Sequence, residues 1–384
     1  MNDKSKLIIF IFLIVVNGLL LFSSSRPFRT TLKNEPLIST RDSLENYYER
    51  AKVLGNQQAS VATTTFLAVG DIMLSRNVAQ AIVDSGNLDL PYSQMSEILK
   101  STDFNFGNLE SPFYPPPKPC GTAGGMGIVG GHSLVFGAPC DNIHGLRNYN
   151  FKILNLANNH ALDQGLRGLE FTKNLLGEEI RSVGAGKNLE EAWQPAVVEP
   201  NGFKICFVGA SYASINDNGK LTNNYVARME DSVNLKLAVQ TSKSLCDFTV
   251  VTMHGGTEYV QNPNELQVDF ARAAIDFGAD MVVGAHPHWV QTIEKYQGKY
   301  IFYSLGNFIF DQMWSLETRE GLALKINLSK PKNSSLQGSK TFANLDSIEL
   351  IPVIIENYST PRPANEQESK NILKKIGQEE KILK

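Results

Sequence analysis

The sequence predicts an α/β protein with an at least partly parallel sheet. Nine short apolar or β-rich runs recur along the chain, and segments of helical period, roughly 10 to 15 residues long, separate several of them. At 384 residues the chain can bury a substantial core, as one large domain or two smaller ones. Charged residues make up 20% of the chain and the formal net charge is -3, with no long polybasic run. That balance excludes a protein whose affinity rests on neutralising nucleic-acid phosphates.

Taken in order, Lys4 and Lys6 precede "LIIFIFLIVVNGLLLF", Leu7 to Phe22, after which the apolar run stops. A positive stretch followed by an apolar one is a targeting element, assigned to residues 1–25 and left out of the fold. Its length is close to the ~17-residue lower limit for crossing a bilayer, so a signal anchor and a cleaved signal peptide both stay open. The charges before it place the rest of the chain outside the cytoplasm, held at the cell membrane or secreted if cleaved. Residues 26–62 are polar and read as a linker, 63–357 as the folded domain, and 358–384 as a polar tail with a weak helix at its end. The runs are "TTFLAVG", "DFNFGNLE", "FKILNLANN", "FKICFVGA", "DFTVVTMHGG", "ADMVVGAHPH", "KYIFYSLGNF", "GLALKINL" and "SIELIPVII". "GLRGLEFTKNLLG" and "NELQVDFARAAIDFG" have helical period. The Pro- and Gly-dense "SPFYPPPKPCGTAGGMGIVGGHSL" is an inserted loop that includes His132. Cys120 and Cys140 bracket its Gly-rich part and either pair or stay free, whereas Cys206 and Cys246 read as ordinary buried small residues.

Five of the runs end in polar clusters: Asp71 and Arg76, Asn108 and Glu110, Asn158 to His160 with Asp163, His254 and Glu258, and His286 with His288. In α/β folds ligands bind in the crevice outside the carboxyl ends of the strands, so these clusters are expected to meet there. Carboxylates, amide oxygens and imidazoles make a mixed N/O ligand set suited to Zn, Mn or Fe, and there are more of them than one tetrahedral ion requires. One or two divalent metal ions are the expected cofactor, and a pair would serve phosphoryl transfer or hydrolysis. In "GAHPHWVQ" the alternation of an extended strand exit puts His286 and His288 on one side, with Pro287 restricting His286 to an extended backbone. Asp163 either orients a neighbour or caps the following helix. "SVGAGKN" lacks a nucleotide fingerprint and reads as a turn.

The series "GDIML", "FGNLES", "NLANNHALDQG", "HGGTEY", "GAHPHWVQ" and "SLGNFIFDQ" resembles the bacterial capsule synthesis CapA family of poly-gamma-glutamate biosynthesis proteins, over about residues 64 to 357. That family's domain is similar to the calcineurin-like metallophosphoesterases, which implies a four-layered α/β/β/α sandwich with a two-metal centre. The resemblance implies metal ligands at Asp71, Glu110, Asn159, His254, His286 and His288, with Glu110 bridging, and a proton donor at His160 assisted by Asp163. It leaves Arg76, Asn108, Glu258, Tyr259 and Asn307 as residues that face substrate.

Two positions depart from the phosphoesterase pattern. Met73 stands where a histidine is usual, and Asn108 precedes Glu110 where an aspartate is usual, so either Asn108 or Glu110 is the bridge. Two functions compete. One is a metal-dependent hydrolase or transferase acting on a phosphate ester, amide or ester bond of an anionic envelope polymer or its precursor. The other is a non-catalytic metal-binding part of a membrane synthase or export complex.

Overall fold

The computed structural model describes residues 61–115, 120, 134–212, 224–331 and 342–384. The expected anchor, and the expected linker up to residue 60, lie outside them, as do His132 and most of the inserted loop. Among the described residues no helix is long and apolar enough to cross a membrane.

The chain opens with β1 (Val61–Ile72), β2 (Phe104–Leu109), β3 (Phe151–Asn155) and β4 (Arg181–Val183), which pair in parallel in that order. Parallel pairing needs long crossovers. Here they carry α1 (Arg76–Ser85), α2 (Ser96–Lys100), α3 (Ile143–Asn148) and α4 (Gly165–Leu176). After α5 (Leu189–Ala192) the chain crosses to a second sheet and builds β5 (Ala196–Val198), β6 (Ile205–Ser211), α6 (Ser232–Leu245), β7 (Phe248–His254), α7 (Glu265–Phe277), β8 (Met281–Ala285), β9 (Ile293–Tyr296) and β10 (Lys299–Phe302). That sheet has the order β5-β6-β7-β8-β10-β9. Asn264 and Gln267 cap α7 reciprocally at its start, and Gly278, at φ 117°, ends it.

The return to the first sheet begins with β11 (Asn307–Ile309) beside β1 and continues through β12 (Glu320–Pro331) and β13 (Asn344–Glu356), antiparallel neighbours outside β1. Residues 358–384, read from the sequence as a polar tail, instead supply β14 (Thr360–Pro363), α8 (Glu366–Lys375) and β15 (Ile382–Leu383). Both strands pair with β13, while Ile372, Leu373 and Ile376 are buried. A few well-spaced apolar side chains fix this segment although its average composition is polar.

Three cores define the layers. Leu67 and Val69 of β1 face outward onto Val78 and Ile82 of α1 and Leu169 of α4. Their neighbours Phe66 and Ala68 face inward with Phe104, Phe106 and Ile153, against Phe207, Val250, Val283 and Phe302 of the second sheet. On that sheet's outer face Val208, Val251 and Val282 pack on Leu235 and Val239 of α6 and Phe270 and Ala274 of α7. The result is the expected α/β/β/α sandwich, and it explains why these strands read as continuous apolar runs: both faces are covered. Phe106 stacks on Phe207 at 5.1 Å between ring centroids, across the seam of the two sheets.

The cysteines correct one expectation. Cys206 on β6 is bonded to Cys246 at the end of α6, and Cys120 is bonded to Cys140. Cys206 and Cys246 are indeed buried, but Phe248 of β7 pairs with Ile205, which brings residues 40 apart in sequence side by side.

Candidate metal centre

The carboxyl ends of β1 and β2 bring up the acidic side chains. Asp71, the next-to-last residue of β1, is fully buried. It reaches that position because Gly70 lets the 305–306 backbone approach: a Cβ at Gly70 would lie 1.9 Å from the Gly306 carbonyl oxygen. Asp71 Oδ1 accepts from Asn108 Nδ2 at 2.8 Å, and Oδ2 accepts from the backbone N–H of His286 at 3.2 Å. Glu110 follows β2, fully buried, and neither of its carboxylate oxygens has a hydrogen-bond partner.

The second sheet supplies the imidazoles. His254 ends β7, and His286 and His288 follow β8, whose Gly284 has no room for a side chain against the Tyr303 carbonyl oxygen. His286 and His288 have φ of 99° and 58°. The extended conformation expected for His286 before Pro287 is therefore not adopted: the chain turns as it leaves β8, and positive φ costs of the order of 1–3 kcal/mol at each such residue. The Asp71 carboxylate, accepting the His286 N–H, helps to hold the turn.

The side chains meet in two groups. Asp71, Glu110 and His288 form one, and Glu110, His254 and His286 the other, with ligand atoms within 4.8 Å of one another in each. Glu110 is common to both. Asn108 bridges in a different sense: its Nδ2 lies 2.8 Å from Asp71 and 3.0 Å from His254 Nδ1, and its Oδ1 accepts from Asn155 at 2.9 Å. Of the two residues left open by the sequence, the carboxylate faces both groups and the amide ties their members together. Asn159 Oδ1 lies 2.7 Å from His254 Nε2, beside the second group. His288 Nδ1 is 2.9 Å from Asn307 Oδ1, so its N–H donates there and Nε2 is left toward Glu110, at 3.9 Å.

The unbalanced charge is visible in the proton affinities. Burial, then the nearby Asp71, raises the Glu110 carboxyl well above its usual range. Burial and the neighbouring imidazoles hold His254 and His286 well below theirs. His288 is pushed up to about 9: burial opposes its charge, and Glu110 and Asp71 outweigh it. Orphaned buried oxygens on Glu110 and an orphaned Nδ1 on His286 are costly unless a cation meets them. The donor set is carboxylate and imidazole without thiolate, so the residues present fit divalent Zn, Mn or Fe.

His160 stands at the edge of this centre, with Nε2 3.8 Å from Glu110 Oε1. Its Nδ1 is 2.8 Å from Asp163 Oδ2, which also accepts the backbone N–H of Phe136, and its ring stacks on Phe136 at 3.8 Å. Asp163 thus orients His160; α4 has Gln164 at its N-cap with no side-chain cap bond. Met73 is buried in the outer core, and its sulfur lies 3.1 Å from the Ser75 N–H, so it adds no donor to either group.

Of the residues expected to face substrate, Glu258 is exposed and Tyr259 partly buried. Arg76 is ion-paired with Asp311 and lies over the Phe136 ring, 4.8 Å from its centroid. Asn108 and Asn307 are buried, with their amides engaged as described, and Asn307 also donates to the Thr318 carbonyl oxygen at 2.8 Å, so both sit beneath the centre rather than at its mouth. Three aromatic residues at the site have no counterpart in the sequence reading: Phe136, Tyr212 and Trp314. Tyr212 packs on His286 at 4.7 Å and closes the β6 run, so the strand-end rule that found the others reaches it. Phe136 lies just after the Pro/Gly-rich insertion, and Trp314 in a turn; neither has such a signal.

The family model described as bacterial capsule synthesis protein PGA_cap matches residues 65–312. The capsule biosynthesis protein CapA of Bacillus anthracis is 30% identical over 315 residues, covering 80% of this chain and 71% of that protein. The PGA biosynthesis protein CapA of Bacillus subtilis (strain 168) is 33% identical over 267 residues, 68% of this chain and 67% of that protein. Among solved structures, the calcineurin-like phosphoesterase YfkN from Bacillus subtilis superposes with a TM-score of 0.45 at 11% identity, covering 83% of this chain and 97% of that one.

Proposed function

The chain belongs to the bacterial capsule synthesis protein PGA_cap family, and from that premise we propose that it is an extracytoplasmic metal-dependent hydrolase or transferase acting on a phosphate ester, or on an amide or ester bond, of an anionic envelope polymer or its precursor. The observation that carries this reading is Glu110: a fully buried carboxylate with two unpartnered oxygens, facing both groups of ligand side chains.

In this reading Asp71, Glu110 and His288 hold one divalent ion, and Glu110, His254 and His286, with Asn159, hold a second. Such ions supply Lewis acidity toward the oxygens of the scissile group and ionise water near neutral pH. The chain's own residues do the rest. Asn307 fixes the His288 ring so that Nε2 is its donor atom. Asp163 accepts from His160 Nδ1 and orients the ring, so that Nε2 is the atom that gives a proton to the leaving oxygen. Phe136 covers the His160 ring and keeps water from one side of it.

The test is metal content and phosphodiester hydrolysis of the full chain loaded with Mn. We expect Glu110→Gln to lose both together and His160→Ala to retain the metal while turnover falls about 10²- to 10⁴-fold. A wild-type chain without tightly held metal, or a Glu110→Gln form with unchanged content, overturns the reading. A second reading, a metal-holding polymer carrier without catalysis, is favoured by Met73, which leaves the first group a donor short. Metal binding with no turnover on any phosphodiester selects it.

A further inference from the structure

Beside the ligand groups the structure holds an aromatic step that the chemistry above does not use. Tyr259 stacks on the His288 ring at 5.9 Å, and Trp314 meets Tyr259 edge-on at 4.8 Å. Trp314 is 62% exposed, whereas Tyr259 is partly buried. Exposed tryptophans on a mobile loop need no explanation, but this one is fixed. Thr318 Oγ1 donates to the Gln312 and Ser315 carbonyl oxygens at 2.8 and 3.1 Å, closing the turn that carries Trp314. Asn307, the partner of His288, anchors the same turn through the Thr318 carbonyl oxygen and Gln312. Tyr259 itself is held at φ 60°, a strained conformation for a non-glycine residue.

Polar groups border the step. Gln312 Nε2 donates to the Tyr259 hydroxyl at 3.2 Å, and Glu258, exposed, lies next to it. The charged side chain that borders the Tyr259 hydroxyl, Glu258, is acidic. A chain of free carboxylates laid over this step would meet like charge. A pyranose ring suits it: one face carries C–H bonds that match the electron-rich face of an indole, and its rim carries hydroxyls that a carboxylate and an amide can take.

Resting on the metal-centre reading above, we propose that the substrate is a glycosyl phosphate ester, with its phosphate at the two ligand groups and its pyranose ring stacked on Trp314 and bordered by Glu258 and Gln312. The Tyr259 ring lies between the two subsites, in contact with His288 on one side and Trp314 on the other.

Calorimetric titration of the full chain separates the parts. With Mn bound, N-acetylglucosamine 1-phosphate is expected to bind at least about tenfold more tightly than inorganic phosphate, and Trp314→Ala to remove that advantage while Trp314→Phe keeps part of it. In the metal-free chain, a tetrasaccharide of N-acetylglucosamine is expected to bind wild type and not Trp314→Ala; Glu258→Gln offers an independent variant should the tryptophan replacement not fold. Equal affinity for the sugar phosphate and inorganic phosphate, or tighter binding of a γ-linked glutamate oligomer that Trp314→Ala abolishes, overturns the proposal. Failure to retain Mn at all sinks the metal-centre reading instead, and the tetrasaccharide titration still decides the platform.

Discussion

The Glu110 carboxyl sits where burial and Asp71 favour its neutral form, yet its two oxygens face two sets of imidazole and carboxylate donors. A group so placed fits a cation, as proposed above. The same logic extends one bond further out, to Asn307, which gives His288 a fixed acceptor for Nδ1–H. We expect Asn307→Ala to weaken metal affinity about 10- to 100-fold, as loss of an orienting partner usually does, read by titration against a competing chelator. Asp163→Asn should lower turnover while metal content stays unchanged, because its partner is the proposed proton donor and not a proposed ligand; steady-state hydrolysis alongside metal analysis checks both halves. At this scale much of the site was legible: polar residues closing apolar runs marked Asp71, Glu110, His254, His286 and His288. What was not legible was conformation. The rule that a residue before proline is extended is a local steric preference, and at His286 the hydrogen bond to Asp71 and the packing of Tyr212 accompany the opposite geometry.

Elements show where composition misleads. All nine apolar runs contribute strands, because strands buried on both faces are rich in the residues that identify them. Helix α6 was missed: its buried Leu235, Ala238, Val239 and Ser242 keep helical spacing, but polar residues and the exposed Val233 and Leu237 blur it. Three-residue edge strands such as β4 and β5 are too short to leave a period. The close approach of β8 to β10 was equally silent. A Cβ on Gly284 would stand 2.0 Å from the Tyr303 carbonyl oxygen, so Gly284→Ala should cost about 1–3 kcal/mol or more, seen as a fall of several degrees in thermal unfolding. Helix α8 makes a pH-dependent contact. Hydrogen bonds from Arg362, then from the Asn365 N–H, hold the Glu368 carboxyl at about 2. A folded-state value below the unfolded one means this contribution is intact above the unfolded carboxylate range and is lost as pH falls from about 4.5 toward about 2. The drop in melting temperature between pH 5 and pH 3 should therefore be smaller in Glu368→Gln than in wild type.

For the whole molecule, the packing of two sheets face to face was foreshadowed only by motif resemblance, since inward and outward residues of these strands are equally apolar. The Cys206–Cys246 bond spans β6 and the end of α6 and closes 40 residues of chain. Replacing both with serine should cost about 2–4 kcal/mol in denaturant titrations, and wild type in reductant, which also opens Cys120–Cys140, should lose at least as much.

Asp71 and Glu110 come from one sheet, while His254, His286 and His288 come from the other. Neither half of the sandwich has a complete set of donors, so the metal binding proposed above would act as a checkpoint on assembly. A chain whose sheets have formed but not docked should leave the ion in solution, and in refolding followed with a metal-sensitive dye the uptake should coincide with the last phase of recovery rather than with the first burst of secondary structure.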